Sequence, residues 1–77
     1  NPFNPSTRID FSIPAKSKVK LEVFDITGRR IKLLIDEVKD AGNYSVRFNG
    51  SNLSSGFYLY KLTTENNMLT RKMLLIK

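Results

Sequence analysis

The chain of 77 residues contains no cysteine, no histidine and no tryptophan. Without cysteine it can form neither a disulfide nor a thiolate metal site. Without histidine it lacks the side chain most often used for proton transfer near neutral pH, which is also the commonest zinc ligand. These absences argue against a catalytic domain and against a zinc-binding domain.

Long hydrophobic runs are also absent. A membrane-spanning helix needs roughly 20 predominantly apolar residues, and no run in this sequence approaches that length. The N-terminus lacks the basic-then-apolar pattern of a secretory signal peptide. We therefore expect no transmembrane segment. The first residue is Asn1 rather than methionine, so we interpret the sequence as a fragment or processed product whose export signal, if it has one, lies elsewhere.

Acidic residues are scarce: seven Asp and Glu stand against 13 Lys and Arg, giving a net charge of +6. Such a surplus is compatible with binding to nucleic acid, anionic lipid or an acidic glycan. The basic residues are scattered, however, and lysine is typical of solvated strand faces and sheet edges. We expect these charges to protect a sheet, and we expect no nucleic-acid partner.

The chain is long enough for one domain, but one of this size buries only about 60–65% of its unfolded surface. A large internal pocket is therefore not expected. Apolar residues make up 40% of the chain and charged residues 26%. That composition is typical of a folded globular domain rather than a disordered tail.

Six segments alternate apolar with polar residues, the pattern of half-buried β-strands. They cover approximately residues 8–13, 18–23, 29–38, 43–48, 57–64 and 68–76. In the third segment, Ile31, Leu33 and Ile35 are expected on one face and Leu34 on the other. The regular spacing predicts an antiparallel β-sandwich of about six to seven strands, with a barrel as the alternative.

Breaker residues separate the segments. The stretch Asp25-Ile26-Thr27-Gly28 is typical of a type I turn in a hairpin. Asn49-Gly50 tolerates positive φ at both central positions of a tight turn. Residues 36–42 are interpreted as an acidic, mobile connection. The glycines expected to form structural turns are Gly28, Gly42, Gly50 and Gly56.

No pattern of residues indicates catalysis or metal binding. The acids Asp25, Asp36, Glu37 and Asp40 fall in predicted turns and loops, where Asp serves local hydrogen bonding. The spacing of acids between residues 36 and 42 does not match a calcium-binding loop. We predict no catalytic residue, no metal ligand and no cofactor.

Three tyrosines, Tyr44, Tyr58 and Tyr60, are possible stacking platforms for a sugar or a base. They alternate with polar residues along predicted strands. Aromatic rings in that pattern pack in a core, with hydroxyl groups reaching its rim. We therefore favour core positions for all three.

Motifs along the whole chain resemble one known family. They are NPFNPST at the start, VFDITGR at 23–29, AG at 41–42, YSVRFNG at 44–50, SSGFYLYKL at 54–62 and KMLLIK at 72–77. Together they resemble the type A C-terminal sorting domain of proteins exported by the type IX secretion system (Por secretion system) of Bacteroidetes. Phe48 replaces the usual tryptophan, and Phe57 replaces a smaller aliphatic residue. A related pattern occurs in an immunoglobulin-like domain of the flagellar hook-capping protein.

The resemblance implies an immunoglobulin-like sandwich that acts as a non-catalytic sorting signal. Its implied partners are an N-terminal cargo domain in the same chain, an outer-membrane translocon and a sortase-like peptidase. The implied localisation is the periplasm in transit, then the cell surface or the medium, often with removal of the domain and attachment of the cargo. The alternatives are an immunoglobulin-like structural or adhesive surface module, such as a spacer or fibre subunit, and a carbohydrate-binding module.

We interpret residues 1–6 as a proline-stiffened entry segment and residues 7–77 as the sandwich, since proline holds its neighbours extended. A plain linker and a plain core strand are the alternatives to recognition at the two ends. The final strand is predicted to be read by strand addition, with its terminal residues removable without unfolding. The residues predicted to be recognised are Asn1, Pro2, Phe3, Asn4, Pro5, Lys72, Met73, Leu74, Leu75, Ile76 and Lys77.

Overall fold

The computed structural model describes residues 6–76, in which the strands are joined by turns and short connections and no helix is present. Its strands are β1 (Ser6–Ile13), β2 (Ser17–Asp25), β3 (Arg30–Lys39), β4 (Gly42–Asn49), β5 (Gly56–Thr63) and β6 (Met68–Leu75). The prediction of an all-β fold from the two-residue periodicity is confirmed.

The strands form two antiparallel sheets. The four-stranded sheet has the order β3-β2-β5-β6, and the two-stranded sheet pairs β1 with β4. Two of the pairings, β2 with β3 and β5 with β6, join neighbours in the chain, whereas β1 pairs with β4 and β2 pairs with β5, each across two intervening strands. The result is a sandwich consistent with an immunoglobulin-like fold, as predicted, rather than a barrel.

The hydrophobic core lies between the two sheets and is built from alternate strand positions. Val19, Leu21 and Val23 of β2 are fully buried, and Phe48 of β4 and Ile9 of β1 are 2% exposed. Each such side chain contributes roughly 1.5–3 kcal/mol by leaving water. The central strand β2 therefore supplies a continuous apolar row to the core between the two sheets.

Strand β3 departs from strict alternation. Leu21 pairs with Ile35 and Glu22 with Leu33, so Leu34 is the extra residue of a β-bulge. Leu34 packs against the core, whereas Leu33 is 38% exposed. The prediction that Leu33 shares the face of Ile35 and that Leu34 lies opposite is therefore wrong, because a bulge reverses the alternation beyond it.

The acidic segment of residues 36–42 is not a mobile loop. β3 continues to Lys39 and β4 begins at Gly42, so only Asp40 and Ala41 connect them. The end of β3 is held by pairing of Val38 with Lys18 in β2. The prediction of a mobile connection is wrong because the ladder with β2 extends through these charged residues.

The two predicted turns behave differently. Between β2 and β3, the amide of Gly28 donates to the carbonyl oxygen of Asp25 at 3.0 Å, and Gly28 has φ +94°. This confirms the hairpin turn. Neither Asn49 nor Gly50 has positive φ, so they are not the central residues of a turn as predicted. The turn lies two residues later, where the Leu53 amide donates to the Gly50 carbonyl oxygen at 2.9 Å. The reason is topological: β4 and β5 lie in different sheets and make no hairpin.

Candidate recognition surfaces

The last strand, β6, lies at one edge of the four-stranded sheet. Its residues pair with β5 alone, from Met68 opposite Thr63 to Leu75 opposite Gly56. Within residues 6–76 no strand pairs with its other side. An edge strand presents a row of N–H and C=O groups that an added strand can use. The open edge of β6 is thus one candidate recognition surface.

Side chains of β6 divide between the core and solvent. Leu75 is 5% exposed and Met73 packs against the core, while Leu74 is 53% exposed. Ile76, just after the strand, is 59% exposed. The predicted recognition residues at this end therefore include both core and surface positions. Asn1 to Pro5 and Lys77 lie outside the described residues.

A second candidate surface is the side of the four-stranded sheet that faces away from the two-stranded sheet, which we call the outer face. Strand registers place Arg30, Leu33, Asp36 and Val38 of β3 and Lys18, Lys20, Glu22 and Phe24 of β2 on this face. They also place there Phe57, Leu59, Lys61 and Thr63 of β5 and Met68, Thr70, Lys72 and Leu74 of β6. Of its apolar residues, Leu74 was among the predicted recognition residues, whereas Phe24, Phe57 and Leu59 were not.

The acidic groups of the outer face are already paired. Glu22, which is 7% exposed, accepts a hydrogen bond from Arg30 Nη1 at 3.3 Å. Asp36 lies 3.8 Å from Lys18 Nζ. Lys61 and Lys72 lie over aromatic rings instead, with Nζ 5.4 Å from the Phe24 centroid and 4.8 Å from the Phe57 centroid. The face is therefore apolar with a cationic surplus.

The tyrosines do not form an open stacking platform. The Tyr44 ring stacks on Phe11 with centroids 5.5 Å apart, and its hydroxyl donates to the Asp40 carbonyl oxygen at 2.6 Å. Tyr58 is 8% exposed and its hydroxyl donates to the Ser54 carbonyl oxygen at 2.7 Å. Tyr60 packs against the core. The predicted core packing is confirmed.

The solvent-facing side of the two-stranded sheet is polar and internally bonded. Its open depression of about 440 Å³ includes Asp10, Ser12, Asn43 and Ser45 in its lining. Ser45 donates to Asp10 Oδ1 at 2.8 Å, and Ser12 donates to Asn43 Oδ1 at 2.6 Å. These side chains already satisfy one another, so the depression offers no convergent set of free polar groups.

Asp25 is the acid with a perturbed environment. Its carboxylate accepts hydrogen bonds from the Thr27 hydroxyl at 2.5 Å and from the Arg29 amide at 3.0 Å. These bonds, the hydroxyl first, hold the pKa of Asp25 below its ordinary value of 3.8. The described residues contain no group of three or more acids placed to hold a metal ion. Asp25 therefore organises a turn.

The family profile described as "Secretion system C-terminal sorting domain" matches residues 1–77, the full length of the chain. The chain belongs to this family. The sorting domain is of the kind used by type IX secretion systems, as its motifs indicate. Searches of curated proteins and of solved structures gave no match. The family identification thus rests on the profile, and the fold rests on the structure.

Membership of this family implies that the domain is a signal for secretion across the outer membrane, to the cell surface or the extracellular space. The family is one of sorting signals and in general is not catalytic. In residues 6–76 no helix is long and apolar enough to cross a membrane.

One sequence signal indicated the outer face. Positions 57, 59 and 61 carry two apolar residues and a lysine, and they alternate with the core-facing tyrosines at positions 58 and 60.

Proposed function

We propose that the sorting domain directs a cargo protein carried in the same chain from the periplasm through an outer-membrane translocon of the type IX system. A sortase-like peptidase then removes the domain, and the cargo is attached to the cell surface or released. The observation that best supports the proposal is the open edge of β6, a strand with a core face, an outer face that carries Lys72 and Leu74, and an unpaired side within the described chain.

Strand addition is the proposed mode of recognition. The free N–H and C=O groups along β6 supply affinity by extending the sheet. Side chains on the outer face, Thr70, Lys72 and Leu74, alternate with core-facing Met73 and would meet pockets of the partner. Backbone pairing gives little selectivity alone, so these exposed side chains supply the choice of partner.

Truncation is a poor test of this mechanism. Leu75 is 5% exposed and belongs to the core. Losing a buried leucine costs about 2–5 kcal/mol, a large part of the stability of so short a domain. We therefore now expect deletion of the terminal residues to unfold the domain, contrary to the expectation from sequence, and a substitution that keeps Leu75 is needed.

Alternate residues of an edge strand direct their N–H groups inward to the neighbouring strand and outward to solvent. Proline at a residue whose N–H points to solvent removes only a free N–H. Proline at a residue whose N–H points to the neighbouring strand removes a hydrogen bond between the two strands. Arg71 and Lys72 are adjacent, exposed and on opposite phases. Arg71→Pro and Lys72→Pro are therefore a matched pair, and thermal unfolding identifies which one leaves the fold intact.

The test fuses the domain behind a periplasmic reporter in a host with a type IX system. The reporter with the unchanged domain is expected in the medium or on the surface. The proline variant that keeps its melting temperature is expected to lose export, while the alanine variant at the same position, Arg71→Ala or Lys72→Ala, retains it in part. Retained export of the well-folded proline variant would exclude recognition through this edge.

The entry segment Asn1, Pro2, Phe3, Asn4 and Pro5 is proposed as a second recognition element. Its prolines favour an extended chain, which suits capture by a groove. Replacing both prolines with alanine should reduce export of the reporter without lowering domain stability. Unchanged export would leave the segment with the role of a linker alone.

A further inference from the structure

We propose that the outer face of the four-stranded sheet docks an acidic protein surface, at a site that shares Lys72 and Leu74 with the edge strand β6 but extends across β5 and β2. The inference depends on the proposed function in one respect: the domain binds this partner during export. Its basis is an apolar centre of Phe24, Phe57, Leu59 and Leu74, joined by two lysines that lack carboxylate partners within the described chain.

The apolar centre is continuous across three strands. Phe24 of β2 lies opposite Leu59 of β5, and Phe57 of β5 lies opposite Leu74 of β6. Phe57 is 50% exposed and Leu74 is 53% exposed, while Phe24 and Leu59 are partly buried. Directly opposed apolar pairs on a sheet pack against one another. They form a patch instead of isolated surface residues, and such a patch marks an interaction site.

The lysines are placed to accept carboxylates from a partner. Lys61 lies over the Phe24 ring and Lys72 over the Phe57 ring. Lys61 is opposite Glu22 in the ladder, but the Glu22 carboxylate pairs with Arg30, and within the described residues neither lysine forms an ion pair. Lys20, on the same face, makes no ion pair within residues 6–76. A cation over a ring at an exposed site is held only weakly. Each lysine can therefore exchange its ring for a charged hydrogen bond.

Charge and geometry distinguish among the possible occupants. The registers place Lys18, Lys20, Arg30, Lys61 and Lys72 on this face, against the acids Glu22 and Asp36. A second copy would bring like charges together, which is unfavourable. A neutral sugar would leave these lysines without an anionic partner. An acidic protein surface fits the charge and leaves the lysine–ring contacts free to rearrange.

The dimensions also suit a protein partner. Four strands about 4.8 Å apart and eight residues long, at about 3.3 Å per residue, give a flat footprint of roughly 500 Å². Side chains that project from the sheet add to this flat area, towards the roughly 800 Å² that each partner contributes to a standard interface. An apolar centre beside a charged rim is the usual anatomy of such interfaces.

Photo-crosslinking tests the proposal in a type IX host. The photoreactive residue p-benzoylphenylalanine replaces Leu74 on the outer face or, as a control, Ser45 on the polar side of the two-stranded sheet. The chain enters the periplasm behind an ordinary signal peptide, so crosslinks are scored whether or not export follows. We expect one discrete protein adduct from position 74, none from position 45, and a crosslinked peptide that contains Asp or Glu.

Charge reversal supplies the second readout. Lys61→Glu with Lys72→Glu should reduce the position-74 adduct at least about tenfold, the loss expected for unfavourable like-charge contacts. Lys61→Arg with Lys72→Arg should retain it. Lys72 is exposed and Lys61 is partly exposed, so both double variants should fold. Circular dichroism verifies that they do.

The proposal is overturned by an adduct to a second copy of the chain, by equal adducts from positions 74 and 45, or by an adduct unaffected by charge reversal. It is also overturned if the purified domain instead sediments with phosphatidylglycerol vesicles, but not phosphatidylcholine vesicles, through Lys61 and Lys72. A reporter that stays in the periplasm while the acidic adduct forms would count against the export function and leave this docking surface standing.

Discussion

Leu75 at the end of β6 lies directly on Gly50, the residue that follows β4. A β-carbon placed on Gly50 would come within 2.6 Å of Leu75 Cδ2, 3.0 Å of Cδ1 and 3.4 Å of Cγ. The whole branched end of the leucine therefore covers the glycine, and no single rotatable atom can move aside. This contact joins the last strand of the four-stranded sheet to the end of the two-stranded sheet.

Gly50→Ala should destabilise the domain by about 1–3 kcal/mol, the usual result of adding a methyl group to a packed site. Chemical denaturation monitored by circular dichroism measures the change. A double-mutant cycle with Leu75→Ala identifies its cause. If the clash is responsible, the alanine at position 50 will cost much less once Leu75 has been shortened. Additive effects would contradict this explanation.

Arg30→Ala should cost about 1–3 kcal/mol, because it leaves the buried carboxylate of Glu22 without its hydrogen-bond donor. Arg29→Ala is the matched control. Arg29 is 84% exposed at its side chain and pairs with Asp25 at 3.5 Å, so its ion pair should contribute less than about 1 kcal/mol. Urea unfolding of both variants makes the comparison. Equal losses would show that burial of Glu22 does not decide the energy.

The lowered pKa of Asp25 predicts that the stability of the domain depends on pH. Its pKa in the folded chain lies below the ordinary 3.8, so the unfolded chain binds the proton first as the pH falls. The stabilisation is complete above the unfolded pKa and is lost as the pH falls through the folded pKa. In Asp25→Asn, the decline in unfolding free energy between about pH 5 and about pH 2 should be smaller. Parallel urea titrations across this range test the difference, and identical slopes would contradict it.

Tyr58→Phe should lower stability by about 0.5–1.5 kcal/mol, the net contribution of one intramolecular hydrogen bond. The lost bond joins the Tyr58 hydroxyl to the Ser54 carbonyl oxygen and holds the segment before β5. Tyr60→Phe is the control, since the Tyr60 hydroxyl has no hydrogen bond within the described residues. Thermal unfolding of the two variants should give a lower melting temperature for Tyr58→Phe alone. A matching decrease in Tyr60→Phe would point to a general effect of removing a hydroxyl.

Much of the local structure could be predicted from the sequence because it depends on neighbouring residues. The strands follow from side chains that alternate every two residues, and Asp25 with Gly28 specifies the turn between β2 and β3. The final strand, with its basic and apolar residues, was also found. The outer-face patch was missed because Phe24, Phe57 and Leu74 come together only when β2, β5 and β6 pair.

The sequence by itself determined the all-β class, the approximate strand positions, the absence of cysteine and histidine chemistry, and the motifs of a sorting domain. The tertiary structure decided that β1 pairs with β4, that Leu34 instead of Leu33 turns to the core, and that Gly50 packs against Leu75 and precedes the central residues of its turn. The physical reason is the range of the interactions: alternation and turn preference act between adjacent residues, whereas sheet partners, bulges and close packing depend on segments far apart in the chain.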